Sequence, residues 1–129
     1  MSERYRLAAD ALFAFDQSGR DDIRAEGRAK LDIFARKLKL LDKLEAIGLR
    51  GHTDRLGGEV HNLPLSLRRV TSVKANLVNL GVPADLIQVE GKGSASPVKE
   101  CGDKDIRHLC ACLQPNRRVE IELRGLVAR

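Results

Sequence analysis

The sequence predicts an α/β fold in which a mixed sheet of about four strands is covered by two long helices. Two amphipathic stripes with helical spacing lie in residues 27–41 and 66–80, and residues 118–123 alternate between apolar and charged side chains. Strand-like segments separate these stripes, which gives the order βαβαβ(α)β, with right-handed crossovers between parallel strands. The 129 residues suffice for a single domain, 1–129, with a core spanning about 5–125.

The first half of the chain supplies two strands and a helix. Residues 5–16 predict the first strand, because alternate positions are apolar: Leu7, Ala9, Ala11, Phe13 and Phe15. A polar loop follows, in which Asp21 or Asp22 is expected to cap the next helix. The apolar stripe of that helix consists of Gly27, Leu31, Phe34, Leu38 and Leu41. Residues 46–53 predict the second strand.

The second half begins with a helix that is expected to start near Pro64, because proline is favoured in a first helical turn. Asn62 is a candidate helix cap or loop brace. The stripe of this helix consists of Ser66, Val70, Val73, Leu77 and Leu80, and Gly81 should end it. A third strand at 86–90, a short helix at 105–111 and a last strand at 118–123 complete the prediction.

The charge composition argues against nucleic-acid binding. The net charge is +5, but 23 basic residues are mixed with 18 acidic ones, and the few aromatic residues lie early in the chain. No apolar run reaches the roughly 20 residues that cross a bilayer. Met1 is followed at once by Ser2, Glu3, Arg4 and Arg6, so no signal peptide is recognisable. We therefore expect either a cytosolic protein or part of a longer exported chain.

Two opposite charges meet at the connection between the second strand and the second long helix. Asp54 follows the strand, and Arg69 lies about one turn inside the predicted helix. We interpret them as gripping a small zwitterion from opposite ends. An internal salt bridge between Asp54 and Arg69 is the alternative.

Five short segments then carry a resemblance to a known family. They are Leu12-Phe13-Ala14-Phe15-Asp16, Gly51-His52-Thr53-Asp54, Asn62-x-x-Leu65-Ser66-x-x-Arg69, Gly91-x-Gly93 with Pro97, and Asn116-Arg117-Arg118-Val119-Glu120-Ile121. In this order and spacing, the chain resembles the OmpA-like C-terminal domain, the periplasmic peptidoglycan-binding module of cell-envelope proteins. The resemblance covers nearly the whole chain and implies the OmpA-like fold. Val70 stands where the family usually has alanine, which should affect packing rather than binding.

The resemblance implies that the ligand is the meso-diaminopimelate of the peptidoglycan stem peptide. Asp54 would receive its ammonium in a charge-assisted bond, and Arg69 would receive its carboxylate through two parallel hydrogen bonds. The other implied site residues are Asn62 and Leu65 along the pocket, Thr53 through its backbone, Phe15 and Asp16 in the wall, and Arg118 nearby. Asn62 as a loop brace and Leu65 as packing remain alternatives, and one of Arg117 and Arg118 is expected to be a solvated charge.

The cysteines Cys101, Cys110 and Cys112 lie close together near the C-terminus. The resemblance to the porin branch of the family implies a Cys101–Cys112 disulfide, and a Cys101–Cys110 bridge stays open. A metal site that includes His108 is the rival interpretation, although the sequence lacks the paired Cys-x-x-Cys typical of zinc sites.

The resemblance further implies a binding module without catalytic residues, metal or cofactor. His52 is expected to be a hydrogen-bonded strand residue and His61 a loop residue, since Ser66 lacks the context of a nucleophile. The expected location is the periplasm, joined to the outer membrane by a preceding segment, as a monomer or weak dimer. The alternatives are the anchor module of a peptidoglycan-associated lipoprotein or flagellar stator, and a cell-wall hydrolase.

Overall fold

A computed structural model describes residues 2–14, 17–19, 22–40 and 44–125. Their mixed sheet has the strand order β1-β4-β2-β3. The four strands are β1 (Ser2–Ala8), β2 (Ala46–His52), β3 (Ile87–Gly93) and β4 (Arg118–Arg124). Strands β2 and β3 are parallel, whereas β4 runs antiparallel to both β1 and β2. The predicted fold class is therefore confirmed.

The described helices are α1 (Ala9–Leu12), α2 (Ala25–Lys39), α3 (Glu59–Asn79) and α4 (Ile106–Cys112). Helices α2 and α3 share one core with the sheet, and Tyr5 of β1 meets Phe34 of α2 edge to face at 5.3 Å. The predicted stripes are buried at Leu31, Val73 and their neighbours, while Leu41 lies outside the described residues. No described helix combines the length and apolar character that a bilayer crossing requires.

The first strand differs from its prediction. It pairs with β4 only as far as the Ala8–Arg118 pair, where β4 begins, and of the later residues Phe13 forms a single bridge, with Ile23. Ala9 to Leu12 form a helical turn instead, which buries Ala9 and Leu12 on one side. An apolar residue at every second position therefore does not by itself indicate a strand when several of these residues are alanine, because alanine is the best helix former.

The start of α3 also differs from its prediction. The helix begins at Glu59, and Pro64 lies inside it. Proline has no amide hydrogen, so Pro64 cannot donate the helical hydrogen bond to the carbonyl of Val60. The side chain of Val60 is almost fully exposed. Asn62 is therefore no helix cap, and His61 lies in the helix rather than in a loop. The end of the helix is as predicted, with Gly81 following at positive φ.

The third strand and the short last helix are as predicted with small shifts, whereas the predicted cap of α2 is not formed by Asp22. Strand β3 continues through Gly91 to Gly93, and α4 is capped by Asp105, whose side chain accepts a hydrogen bond from the Arg107 amide at 2.9 Å. Asp22 does not cap α2; its carboxylate accepts a bond from the Gly19 amide, and Asp21 lies outside the described residues.

Helix α3 lies in close contact with β2 and β3. A Cβ atom at Gly51 would come within 2.6 Å of the Ser66 carbonyl oxygen, and one at Gly91 within 2.7 Å of the Leu67 amide nitrogen. The Ser66 hydroxyl also accepts a hydrogen bond from the Gly93 amide at 2.9 Å. These contacts fix the height of the helix above the sheet, and they require glycine at both strand positions.

Replacing Gly51 by alanine should lower the free energy of unfolding by about 1–3 kcal/mol, because the added methyl group overlaps the α3 backbone. Urea denaturation measures the change. Gly48→Ala in the same strand is the matched control, since its nearest neighbour would be the Glu122 Cβ at 3.9 Å. Equal losses in both variants would contradict the close-contact explanation.

Candidate ligand-binding cleft

A cleft of about 570 Å³ opens where β2 ends and α3 begins. Five of the eight predicted site residues line it: Thr53, Asp54, Asn62, Leu65 and Arg69. Phe15 and Asp16 lie outside the described residues. The two oppositely charged residues on which the sequence interpretation depends thus face the same cleft.

Asp54 is held in place by the protein. Its Oδ1 accepts a hydrogen bond from the Leu56 amide at 3.0 Å, and its Oδ2 accepts one from Arg117 Nη1 at 2.8 Å. Asp54 is thus part of an internal salt bridge, but its partner is Arg117 and not Arg69, the partner that the sequence interpretation considered. Each carboxylate oxygen has a second lone pair, which leaves acceptor capacity for a ligand.

Arg69 is buried in the opposite wall of the cleft. Its Nε donates a hydrogen bond to the Gln17 carbonyl at 2.9 Å, and its guanidinium carbon lies 5.4 Å from the centre of the Phe13 ring. Together the hydrogen bond and the cation–π contact restrict the plane of the guanidinium. A restricted planar fork suits two-point recognition of a carboxylate.

Asn62 braces the loop that carries Asp54. Its Nδ2 donates to the carbonyl oxygens of Asp54 at 3.1 Å and Leu56 at 2.9 Å. Thr53 contributes in the same way, since its amide bonds to the Gly93 carbonyl and its hydroxyl to the Asp54 carbonyl. These contacts agree with the loop-brace alternative for Asn62.

Arg117 is the residue of this cleft that the sequence interpretation missed. It donates from Nε and Nη2 to the Asp10 carboxylate, and from Nη1 to Asp54 and the Cys110 carbonyl. Burial alone would lower the pKa of Arg117, but the hydrogen bonds that it donates to Asp10 and Asp54 outweigh burial and raise this pKa above its usual range. The sequence did contain a signal for this role. Arg117 lies two positions before Val119, whose side chain is in the core, and residues two positions apart along an extended chain point to the same face of the sheet.

Arg118 does not line the cleft, contrary to the prediction. It alternates with the core residue Val119, so its buried side chain lies on the sheet face away from the helices. There it donates to Glu120 at 2.8 Å and to the Ser96 carbonyl at 2.9 Å. The expectation that one of the two arginines is only a solvated charge was also wrong.

His52 is a hydrogen-bonded strand residue, as predicted. Its Nε2 lies 3.2 Å from Glu120 Oε1, while its buried Nδ1 has no hydrogen-bond partner in the described part of the chain. Burial lowers the pKa of His52, the charge of Arg118 lowers it further, and Glu120 only partly opposes this. Folding therefore favours the neutral imidazole.

The Cys101–Cys112 disulfide is confirmed, with the Cα atoms 6.1 Å apart. It rules out the Cys101–Cys110 pairing and uses two of the four ligands of the metal interpretation. Cys110 keeps a free thiol and lines the cleft. Within the described ranges, no group of three His, Cys, Asp or Glu residues has the arrangement of a metal site.

Comparison with solved structures shows the OmpA-like fold. The periplasmic domain of Helicobacter pylori MotB has a TM-score of 0.74 at 21% identity, over 95% of this chain and 75% of that one. The peptidoglycan-associated lipoprotein from Burkholderia pseudomallei has a TM-score of 0.69 at 26% identity, with 88% of each chain covered. The cell wall anchor of the T6SS from Pseudomonas aeruginosa has a TM-score of 0.76 at 23% identity, over 99% of this chain and 82% of that one.

The chain belongs to the OmpA family, whose model matches residues 13–108. It is 38% identical to outer membrane protein A of Yersinia pseudotuberculosis and 37% identical to that of Escherichia coli O157:H7. These alignments cover 96% and 97% of this chain, but only 35% and 36% of the relatives. The chain thus spans about a third of the length of these two proteins.

Removing Arg117 should destabilise the domain, because Asp10 and the mostly buried Asp54 lose the cation that they share. We expect Arg117→Ala to lower the free energy of unfolding by about 1–3 kcal/mol. Arg107→Ala, at an exposed side chain, serves as the control in the same urea denaturation. Wild-type stability of Arg117→Ala would show that the bridge contributes nothing.

The free energy of unfolding should fall as the pH drops through about 6.5, the pKa of histidine in an unfolded chain. The pKa of His52 is lower in the folded protein, so the unfolded chain takes up the proton first. His52→Gln should reduce the fall measured by urea denaturation between about pH 7.5 and about pH 5.5. The same fall in wild type and variant would contradict this role of His52.

Proposed function

We propose that this domain binds peptidoglycan non-covalently through the meso-diaminopimelate of the stem peptide. The observation that carries the proposal is the placement of Asp54 and Arg69 on one cleft at the β2–α3 connection. The free end of diaminopimelate carries an ammonium and a carboxylate on one carbon. A site with one fixed acid and one fixed guanidinium matches that pair of charges.

In this proposal Asp54 accepts a hydrogen bond from the ligand ammonium through a lone pair that Arg117 and Leu56 do not use. Arg69 donates to the ligand carboxylate. The protein groups that already contact both side chains restrict their rotamers, so less side-chain entropy is lost when the ligand binds. Leu65 supplies an apolar wall beside them.

The names of the relatives support an anchoring role. They include outer membrane protein A, a peptidoglycan-associated lipoprotein and the cell wall anchor of a secretion system. We infer that this domain is a binding module in the periplasm, part of a longer outer-membrane protein that it ties to the wall. No step of this function requires a catalytic residue.

Removing either charge should abolish most of the binding. Asp54→Ala and Arg69→Ala should each weaken binding of meso-diaminopimelate by about 2–5 kcal/mol, because each leaves a ligand charge unpaired in the cleft. Isothermal titration calorimetry with the free amino acid and co-sedimentation with purified sacculi measure the loss. Asp54→Asn keeps the shape of the side chain and separates the loss of charge from the loss of packing.

Two exposed residues away from the cleft supply the controls. Asp85→Ala and Arg36→Ala remove the same charges and should bind like the wild type. Thermal melts establish that the cleft variants remain folded, since Asp54 also braces its loop. Wild-type affinity in both folded cleft variants would refute the assignment of the site.

A further inference from the structure

A second cleft of about 360 Å³ lies on the other side of the Asp54 loop. We propose that this cleft is an anionic-group subsite, which binds a carboxylate on the residue that precedes diaminopimelate in the wall peptide. The inference rests on the proposed function of the first cleft. The proposal gives a role to the disulfide-bridged segment, residues 94–101. This segment has no role in the first cleft.

The two clefts adjoin at the end of β2. Thr53 lines both of them, whereas Asp54 lines only the first and Arg55 only the second. A peptide whose diaminopimelate lies beside Asp54 therefore needs to extend along the cleft wall by only one protein residue to reach Arg55. The Cα atoms of the adjacent protein residues Asp54 and Arg55 are only about 3.8 Å apart, a distance that one further residue of the bound peptide can span.

The wall of the second cleft is held rigidly. Asn116 is buried, and its Oδ1 accepts hydrogen bonds from the amides of Val98 at 2.8 Å and Lys99 at 2.9 Å. Its Nδ2 donates to the Lys99 carbonyl at 2.8 Å. The disulfide ties Cys101 to the end of α4. The segment is thus fixed at both its middle and its end before any ligand arrives.

The charge of the second cleft favours an anion. Its charged lining residues are Arg55, Lys99 and Glu100, which sum to +1, and its other lining residues are uncharged. Arg55 is oriented by a hydrogen bond from Nη2 to the Cys101 carbonyl at 3.1 Å. Arg55 and Lys99 thus offer two cationic groups to a carboxylate that enters this cleft.

The chemistry of the wall peptide supplies such a group. A glutamyl residue joined to diaminopimelate through its γ-carboxyl keeps a free α-carboxylate. If that carboxylate is amidated to an isoglutaminyl group, the shape is nearly unchanged and the charge is lost. Two ligands, γ-glutamyl-diaminopimelate and γ-isoglutaminyl-diaminopimelate, therefore test the charge of the subsite without altering the anchor in the first cleft.

We expect the wild-type protein to bind the glutamyl ligand about fivefold more tightly than the isoglutaminyl ligand, the scale of exposed ion pairs. Lys99→Ala and Arg55→Ala should each reduce that preference and leave the affinity for the isoglutaminyl ligand unchanged. The Lys99 side chain is exposed, and its contacts to Asn116 use only backbone atoms, so the variant should keep the segment in place. Calorimetry with all protein–ligand combinations measures the effect.

Lys104→Ala removes an exposed lysine of the neighbouring loop that lines neither cleft, and it should keep the full preference. Lys99→Arg should keep it as well. Equal affinity of the wild type for both ligands, or a preference that survives in the Arg55→Ala/Lys99→Ala double variant, would overturn the subsite alone. Failure of the wild type to bind either ligand would instead contradict the proposed function and the subsite together.

Discussion

The contact between α3 and the strands β2 and β3 determines the geometry of the candidate site. Because Gly51 and Gly91 have no side chains, the backbone of the helix lies almost directly on the sheet. Arg69 belongs to that helix, and Asp54 follows the strand that Gly51 belongs to. The distance between the two charges is therefore set by backbone packing in the core, together with the hydrogen bonds that hold the Asp54 loop in place.

A second constraint comes from the start of β4, where Arg117, just before the strand, and Arg118, its first residue, serve the two faces of the sheet separately. Arg117 points to the helix side and joins the carboxylates of Asp10 and Asp54, while Arg118 supports the opposite face with His52 and Glu120. The Asn-Arg-Arg segment thus orients Asp54, which lines the cleft, from one side and stabilises the end of β2 from the other. Both arginines act through other residues of the domain.

The sequence predicted the fold because its long helices and last strand have strong apolar periodicity, and the family segments placed Asp54, Asn62 and Arg69 correctly on one cleft. It failed where local patterns compete. Ala9 to Leu12 fit both a strand and a helical turn, and only the end of the β4 partner decides between them. Asp10 was missed for the same reason: in a strand its side chain would lie opposite the apolar face, whereas in the helical turn it reaches Arg117.

The bridge between Asp54 and Arg117 bears on how a ligand can bind. Asp10, Asp54 and Arg117 together carry a net charge of −1, so an ammonium is favoured at this end of the cleft, whereas Arg24 and Arg69 bring the whole lining to +1. An ammonium group would join this cluster without displacing Arg117, and it would meet a carboxylate whose orientation is already fixed. The gain in affinity then arises from preorganisation as much as from neutralised charge. If the proposed function holds, such a cleft would distinguish an amino acid with both charges from a simple amine, because only the former would also reach Arg69.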